Sequence, residues 1–309
     1  MGKIVLIMTD RPAQPWKEFI LKVDSKLQVD IWPDIQNATV YSTAVVWKHP
    51  AGILNRFENL KLVYSLGAGV DHVLSDPDLP RHVQIARIVD EQLTQSMSNF
   101  IILSVLRQQR RLQEYIANRN NHQWQKLSPT EQEIKVGFLG LGVLGKDAAV
   151  KLAHLDFEVH GFSQSSKDIR GVTTYCGEQG LEQMLKKVNV IVNLLPLTSE
   201  TRGILDLSFF KKCQTGTYLV NVARGEHLVE SDLIEALDEG LLSGAWLDVF
   251  QHEPLPEDHI FWNDSRIMIT PHIASVTNPA SAAAQIVDNH RRLEKGLPSL
   301  NIIDISKEY

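Results

Sequence analysis

Three charged or titratable side chains follow three predicted strands in the second half of the chain. Arg224 lies in NVARGE, Glu253 in LDVFQHEPLP and His272 in TPHIAS. Because the carboxyl ends of parallel strands border one ligand crevice, we expect the three side chains to converge. A histidine can donate a proton near neutral pH, and a carboxylate at its other ring nitrogen orients the ring. An arginine fork binds a carboxylate and polarises a carbonyl oxygen. These residue types predict proton transfer to an anionic substrate.

A glycine-rich turn, VGFLGLGVLG, precedes these segments. Gly140, Gly142 and Gly145 fit the pattern G-x-G-x-x-G, with an apolar run before them and a helical pattern after them. Gly140 would permit the tight turn, Gly142 would let the backbone approach a pyrophosphate, and Gly145 would let the helix pack closely on the sheet. The helix N-terminus would add amide donors and a favourable dipole. The turn therefore predicts a dinucleotide site.

The segment HGFSQSSKD, after the next predicted strand, bears on which dinucleotide fits. An NAD site usually places Asp or Glu there to bind the ribose 2′-hydroxyl. This chain has Ser163, Gln164, Ser165 and Lys167 instead. Hydroxyl groups and a lysine could hold a 2′-phosphate, which favours NADP, with NAD as the alternative. The remaining interpretation is a solvated polar loop that is indifferent to the 2′ group.

The elements that must position these residues alternate along the chain. From residue 135 onward, amphipathic stretches separate the apolar runs IKVGFLG, FEVHGF, VIVNLL, TYLVNV, GAWLDVF and RIMIT. This alternation predicts a parallel sheet covered on both faces, as in a doubly wound α/β domain. The first hundred residues show the same alternation, with the apolar runs KIVLIM, QVDIW, AVVW, LVYS and VQIAR. No glycine fingerprint follows KIVLIM. We expect a second α/β domain there that binds no dinucleotide.

Two helical patterns connect the halves. QLTQSMSNFIILSVLRQQRRLQEYIANRN contains neither Pro nor Gly and predicts one long helix that crosses from one domain to the other. SAAAQIVDNHRRLEKG predicts a last helix that returns to the first domain. We therefore predict a substrate-binding domain of residues 1–99 plus 282–309, with a dinucleotide-binding domain, residues 100–281, inserted into it.

Composition limits the function classes. The chain has 309 residues, 43% of them hydrophobic and 22% charged, with a net charge of −6, which argues against a nucleic-acid partner. Cys176 and Cys213 form no CxxC pair, so neither a disulfide framework nor a metal site is expected. MGKIVLIMTDRPAQ lacks the apolar core of a signal peptide, and no segment approaches the roughly 18 apolar residues of a membrane helix. We expect a cytoplasmic protein without a membrane partner.

Five ordered segments resemble the D-isomer-specific 2-hydroxyacid dehydrogenase family. They are VGFLGLGVLG, NLLPLTSETRGIL, LVNVARGEHLVESDLIEALDEG, GAWLDVFQHEPLP and ITPHIAS. LGAGVD, NHQWQ and PHIASVTNPASA extend the resemblance over nearly the whole chain, and its glyoxylate/hydroxypyruvate reductase A branch is the most similar. The resemblance implies a Rossmann cofactor domain inserted into a flavodoxin-like substrate domain. It also implies NAD(P)H-dependent reduction of small 2-oxo acids, glyoxylate and hydroxypyruvate, with His272 as the proton donor.

The resemblance assigns further residues. Asp248 resembles the family residue that anchors the nicotinamide carboxamide. Trp47 matches a tryptophan near the substrate, with a core aromatic as the alternative. Amides of Ala68 and Gly69, in SLGAGVDHV, could bind the substrate carboxylate as an anion nest. The other residues expected to line the cofactor are Val143, Leu144, Leu195 and Pro196.

Two more positions bear on the site and on assembly. Met97 matches a methionine near the cleft, although packing in the core explains it equally well. Trp124 resembles a residue that closes the partner subunit's site in related enzymes. Together with the long apolar helix, Trp124 makes a homodimer the expected assembly.

Two other functions stay open. Gln164 stands where the reductase branch usually has arginine, which leaves room for an NAD-linked dehydrogenase of a bulkier D-2-hydroxy acid. A dinucleotide-sensing regulatory protein could also keep this fold. The presence of Arg224, Glu253 and His272 together argues against that regulator.

Overall fold

A computed structural model describes residues 2–309, and the chain divides into two compact units. Met1–Leu93 and Val276–Tyr309 form the terminal unit, and Thr94–Ser275 form the central unit. Both junctions lie a few residues before the predicted limits at 99 and 281. The first junction falls within a helix rather than in a turn, so no break in the sequence pattern marks it.

The strands form two parallel sheets, one in each unit. The terminal unit contains β1 (Lys3–Met8), β2 (Val29–Ile31), β3 (Tyr41–Trp47), β4 (Leu62–Ser65) and β5 (Gln84–Arg87). The central unit contains β6 (Lys135–Leu139), β7 (Glu158–Phe162), β8 (Thr173–Tyr175), β9 (Val190–Asn193), β10 (Thr217–Asn221), β11 (Leu242–Leu247) and β12 (Ile267–Ile269). Each predicted apolar run forms a strand. Strand β8 was not predicted, because its three residues contain no apolar run.

The helices alternate with these strands. They are α1 (Gln14–Val23), α2 (Asp71–Leu74), α3 (Glu91–Gln109), α4 (Leu112–Asn120), α5 (Val143–His154), α6 (Gly177–Leu185), α7 (Leu207–Lys212), α8 (Glu230–Asp238) and α9 (Pro279–Glu294). Side-chain caps at their starts include Asp206, which accepts from the amide of Phe209 in α7, and Asn278, which accepts from the amide of Ala280 in α9. Within residues 2–309, no helix has both the length and the apolar character needed to cross a membrane.

The strand orders identify both folds. The terminal sheet has the order β2-β1-β3-β4-β5, which is flavodoxin-like. The central sheet, counted from β8, has the order β8-β7-β6-β9-β10-β11-β12, which is the Rossmann order with a seventh strand at its edge. The predicted fold class is therefore confirmed. In each sheet the order reverses at one point, β1/β3 in the terminal unit and β6/β9 in the central unit, and ligands bind at the carboxyl edge there.

Apolar side chains cover both faces of the central sheet, because successive residues of a strand point to opposite faces. In β9, Val190 and Val192 belong to one buried cluster and Ile191 to the other. The first cluster also contains Phe138 of β6, and the second contains Leu219 of β10. The central strands are thus held between two apolar layers, which fixes the positions of the loops at their carboxyl ends.

The prediction of one long helix after residue 91 was wrong, because the stretch forms α3 and α4. Between them, Arg111 has φ +55°, in the left-handed region. Its guanidinium pairs with Glu114 and donates to the carbonyl oxygen of Pro129 at 2.7 Å. These contacts stabilise a break that neither Pro nor Gly marks in the sequence.

Candidate active site

The turn between β6 and α5 needs glycine at two positions. Gly140 has φ +100°, and a Cβ there would lie 2.7 Å from the carbonyl oxygen of Leu194. A Cβ on Gly145 would lie 2.1 Å from the carbonyl oxygen of Gly140. At Gly142, by contrast, a Cβ would meet no atom of the described residues within 4 Å. Packing explains Gly140 and Gly145, whereas Gly142 borders open space that a ligand can approach.

The N-terminus of α5 points its amide groups to this turn. The helix begins at Val143 after Gly142, and no side chain of the described residues caps it. The first amides of a helix have no partner within the helix, and its dipole favours an anion there. Val143 is exposed and Leu144 is half-buried. The turn and the helix start therefore fit the pyrophosphate of a dinucleotide.

The polar segment after β7 contacts the glycine turn. Lys167 Nζ donates to the carbonyl oxygen of Leu141 at 2.7 Å, so this ammonium group lies at the turn itself. Ser163 is buried, and its hydroxyl donates to the carbonyl oxygen of Ser165 at 2.8 Å. Gln164 and Ser165 are exposed. Lys167 is the one cation of the four residues predicted to contact the ribose 2′ group, and its hydrogen bond to Leu141 holds it at the turn.

A buried hydrogen-bond network joins the ends of β9 and β10. Asn193 Nδ2 donates to Asn221 Oδ1 at 3.0 Å, and Asn193 Oδ1 accepts from the amide of Leu195 at 3.2 Å. Asn221 Nδ2 donates to the carbonyl oxygen of Arg224 at 3.0 Å. Sequence reasoning missed both asparagines, although each is the polar end of an apolar strand. They connect the predicted cofactor loop to the loop of Arg224.

His227 closes this network from the other side. Its Nε2 lies 3.2 Å from the carbonyl oxygen of Pro196, and its Nδ1 lies 3.2 Å from that of Arg224. The ring is fully buried, and this burial is the main reason that the pKa of His227 is lowered. A neutral ring donates to one of the two carbonyls at a time. His227 was also missed from the sequence.

Backbone packing positions Arg224. Its Nη1 donates to the carbonyl oxygen of Ala223 at 2.7 Å, and the side chain is half-buried. A Cβ on the next residue, Gly225, would lie 1.9 Å from the carbonyl carbon of Phe250. Glycine at this position therefore lets the Arg224 loop lie directly against the loop that bears Glu253.

Glu253 and His272 are paired. His272 Nδ1 lies 2.9 Å from Glu253 Oε2, and Glu253 Oε1 accepts from the amide of Phe250 at 3.2 Å. The side chains are 32% and 23% exposed for His272 and Glu253, respectively. The contact with Glu253 is made at Nδ1, on the opposite side of the ring from Nε2. The carboxylate thus orients the ring and leaves Nε2 available to a ligand.

Asp248 holds the loop of His272. His272 has φ +54°, and its amide donates to the carbonyl oxygen of Asp248 at 2.8 Å. The carboxylate accepts from Thr270 Oγ1 at 2.6 Å and from the amides of Ile273 and Ala274 at 3.0 and 2.8 Å. Burial raises the pKa of Asp248, and these hydrogen bonds act in the opposite direction. Asp248 is therefore tied to the histidine loop, and its role toward the nicotinamide stays a prediction.

The terminal unit contains the other residues predicted to bind substrate. Trp47 ends β3, is 9% exposed and packs against the ring of His72 with centroids 4.8 Å apart. A Cβ on Gly67 would lie 2.6 Å from the Trp47 ring, so the indole rests on the loop after β4. Within the described residues, the amides of Ala68 and Gly69 donate to no protein acceptor. These amides fit the predicted anion nest.

Met97 and Trp124 lie in contrasting surroundings. Met97 is buried in the central core, which agrees with the packing interpretation. Trp124 is fully exposed. Among residues 2–309, no group of three or more His, Cys, Asp or Glu side chains could hold a metal ion.

Comparison with known proteins gives matches over the whole chain. The model of the D-isomer specific 2-hydroxyacid dehydrogenase family, NAD binding domain, matches residues 101–274. The chain is 40% identical over 304 residues to glyoxylate/hydroxypyruvate reductase A from Serratia proteamaculans, with 96% of each chain covered.

Solved structures are similar as well. A D-isomer specific 2-hydroxyacid dehydrogenase from Xanthobacter autotrophicus Py2, in complex with NADPH and MES, has a TM-score of 0.95 at 37% identity. The comparison covers 100% of this chain and 99% of that one. An NADPH-dependent glyoxylate/hydroxypyruvate reductase from Sinorhizobium meliloti, in complex with NADP and sulfate, has a TM-score of 0.93 at 34% identity, with full coverage of both chains.

Proposed function

Because the chain belongs to the D-isomer specific 2-hydroxyacid dehydrogenase family, we propose that it reduces glyoxylate and hydroxypyruvate with NADPH. The observation that carries this proposal is the His272–Glu253 pair, with 2.9 Å between Nδ1 and Oε2. A histidine oriented in this way, after a strand of a Rossmann sheet, is placed to protonate a carbonyl oxygen. The relatives named for this activity support the same substrate class.

The glycine turn and the loops beside it hold the cofactor in this proposal. Amides of Val143 and Leu144 would bind the pyrophosphate at the start of α5, where Gly142 borders open space. Lys167 provides the positive charge for the 2′-phosphate, with Ser163, Gln164 and Ser165 beside it. Leu195, Pro196 and Asp248 would hold the nicotinamide end of the cofactor. When bound, NADPH supplies the hydride.

In the histidine pair, His272 acts on the carbonyl oxygen and Glu253 acts on the histidine ring. His272 donates the proton from Nε2 to the oxygen as the carbonyl carbon is reduced. Glu253 keeps the remaining proton on Nδ1 and stabilises the imidazolium before transfer. The ring then stays hydrogen-bonded to Glu253 as neutral imidazole. Recovery of a proton from water returns His272 to its starting state.

We assign Arg224 to the acid group of the substrate. The Arg224 guanidinium takes the substrate carboxylate and the carbonyl oxygen in a fork, which fixes the pose and polarises the C=O bond. We also assign the amides of Ala68 and Gly69 to the substrate carboxylate, with Trp47 as an apolar wall. Among the described residues, neither amide donates a hydrogen bond to another backbone group, which supports this assignment.

Initial rates test the proposal. Glyoxylate, hydroxypyruvate, pyruvate and phenylpyruvate are each measured with NADPH and with NADH. We expect the highest kcat/KM for the first two substrates with NADPH. A preference for phenylpyruvate with NADH would instead support the dehydrogenase of a bulkier acid, and a complete lack of turnover would support the regulatory protein.

Assembly and location extend the proposal. We propose a cytoplasmic homodimer that forms through α3 and α4. Leu103, Leu106 and Leu112 on these helices are exposed, and Trp124 follows them fully exposed. Exposed apolar side chains on one region are typical of an interface. Light scattering should give a dimer mass, and Trp124→Ser should lower kcat/KM if this indole reaches a partner's site.

A further inference from the structure

The carboxyl edge of the terminal sheet contains a charged cluster that sequence analysis did not single out. Asp10 and Arg11 follow β1, and Trp47 and Lys48 lie at the end of β3. Strands β1 and β3 are neighbours, and the strand order reverses between them. This edge is where an open α/β sheet binds its ligand.

The guanidinium of Arg11 lies over the indole of Trp47. Its guanidinium carbon lies 4.0 Å from the centre of the ring, which is a cation–π contact. Asp10 supports this stack from the side: Oδ1 lies 3.6 Å from Arg11 Nε, and Oδ2 accepts from Trp47 Nε1 at 3.3 Å. The fork is therefore oriented before any ligand arrives.

The outer end of the fork has no partner of its own. Among the described residues, Nη1 and Nη2 of Arg11 form no hydrogen bond, and the side chain is 27% exposed. Partial burial lowers the pKa of Arg11, although a guanidinium stays protonated near neutral pH. Two parallel N–H donors on a partly desolvated cation bind an acceptor oxygen or a carboxylate well.

Trp47 connects this fork to the loop assigned to the substrate. The indole contacts both Arg11 and the backbone at Gly67. Ala68 and Gly69, whose amides are proposed to bind the substrate carboxylate, follow directly. The Arg11 guanidinium and the loop that bears these amides therefore share Trp47 as a common neighbour.

We propose that Arg11 is a specificity-determining residue that binds an oxygen-bearing group on the third carbon of the 2-oxo acid. This inference rests on the proposed function. Glyoxylate has no third carbon, pyruvate presents a methyl group, hydroxypyruvate a hydroxyl group and oxaloacetate a carboxylate. The fork favours the last two, and the dicarboxylic acid most, because a carboxylate accepts both N–H donors at once.

Arg11→Gln tests the inference with these four substrates and NADPH. We expect kcat/KM to fall about 10- to 100-fold for oxaloacetate and roughly tenfold for hydroxypyruvate, because a hydrogen bond to a charged group is lost. The values for glyoxylate and pyruvate should stay as in the wild type. Arg11→Lys should recover part of the loss, since an ammonium keeps the charge without the fork. Arg56→Gln, at an exposed arginine of the same unit, is the matched control.

Inhibition gives a readout that needs no turnover. Tartronate presents a second carboxylate and glycolate does not, so Arg11→Gln should weaken inhibition by tartronate alone. An equal loss on all four substrates, with unchanged discrimination between the inhibitors, would show that Arg11 only supports Trp47 and would overturn the inference. A wild-type protein that reduces none of the four acids would instead contradict the proposed function, and this inference with it.

Discussion

In both units the first strand leads into a helix through a turn, and the two turns contain different chemical groups. In the central unit, β6 leads into Gly140 and Gly142. The amides at the start of the next helix are uncapped, and Gly142 borders open space. In the terminal unit, β1 leads into Asp10 and Arg11, and the turn presents a stacked guanidinium. Both turns lie where the strand order reverses. Topology thus selects the place for a ligand, and the residues of the turn select its chemical class.

The units also differ in how the residues at the carboxyl edges of their sheets are held in place. In the central unit, the side chains of four residues at the edge are buried: Asn193, Asn221, His227 and Asp248. Their hydrogen bonds hold the loop that bears Arg224 and, separately, the loop that bears His272. In the terminal unit, charged side chains at the edge are partly exposed. Changes in the central unit should therefore affect the reaction of every substrate, and changes in the terminal turn should affect the choice among substrates.

The largest effect is expected for His272→Asn. Asparagine tolerates the left-handed backbone at this position, so the loop should keep its shape. Loss of the proton donor should lower kcat by about 10²–10⁴-fold for all substrates, with cofactor affinity unchanged. Steady-state rates and a cofactor titration measure both. His252→Asn, at the exposed neighbour of Glu253, is the control, and an unchanged kcat in His272→Asn would exclude the assigned role.

A smaller effect is expected for Asn221→Ala. The change removes the donor to the carbonyl oxygen of Arg224 and leaves Asn193 without its partner. Displacement of Arg224 should lower kcat/KM by up to about 10²-fold, equally for all substrates. The unpaired buried amide should also lower the free energy of unfolding by about 1–3 kcal/mol. A loss that varied strongly with the substrate would contradict the distinction between the two units.

Lys167→Ala should separate the two cofactors. NADPH affinity should fall roughly tenfold, because a charged hydrogen bond to the 2′-phosphate is lost. NADH should lose less, since only the bond from Lys167 to Leu141 is removed. Fluorescence titration with each cofactor gives the comparison, with Lys186→Ala as an exposed control. Equal losses for both cofactors would mean that Lys167 does not bind the 2′-phosphate.

The smallest effect concerns an ion pair of the central unit that lies outside the site. Hydrogen bonds from Arg266 lower the pKa of Asp264. A lowered pKa in the folded state stabilises the fold above the unfolded pKa, and this stability is lost as the pH falls below about 4. Asp264→Asn should therefore cost up to about 1 kcal/mol near neutral pH and nothing in acid, with unchanged rates. Thermal unfolding across pH tests this, and a loss that persists in acid would contradict the electrostatic explanation.

Much of the fold follows from local patterns in the sequence. The apolar runs predict their strands, and Gly140 and Gly145 fill positions where a Cβ would collide with backbone. The break at Arg111 could not be predicted, because it depends on contacts with Glu114 and with the distant Pro129. The same holds for Arg11, whose orientation depends on Trp47 in another strand, and for Asn193 and Asn221, which meet only when β9 and β10 pair. The assigned ligand contacts stay predictions.

The most direct test is to let the wild-type protein reduce hydroxypyruvate to completion with NADPH and to resolve the product on a chiral column. The account predicts D-glycerate, with one NADPH consumed for each molecule formed. L-Glycerate as the product, or no oxidation of NADPH, would contradict it.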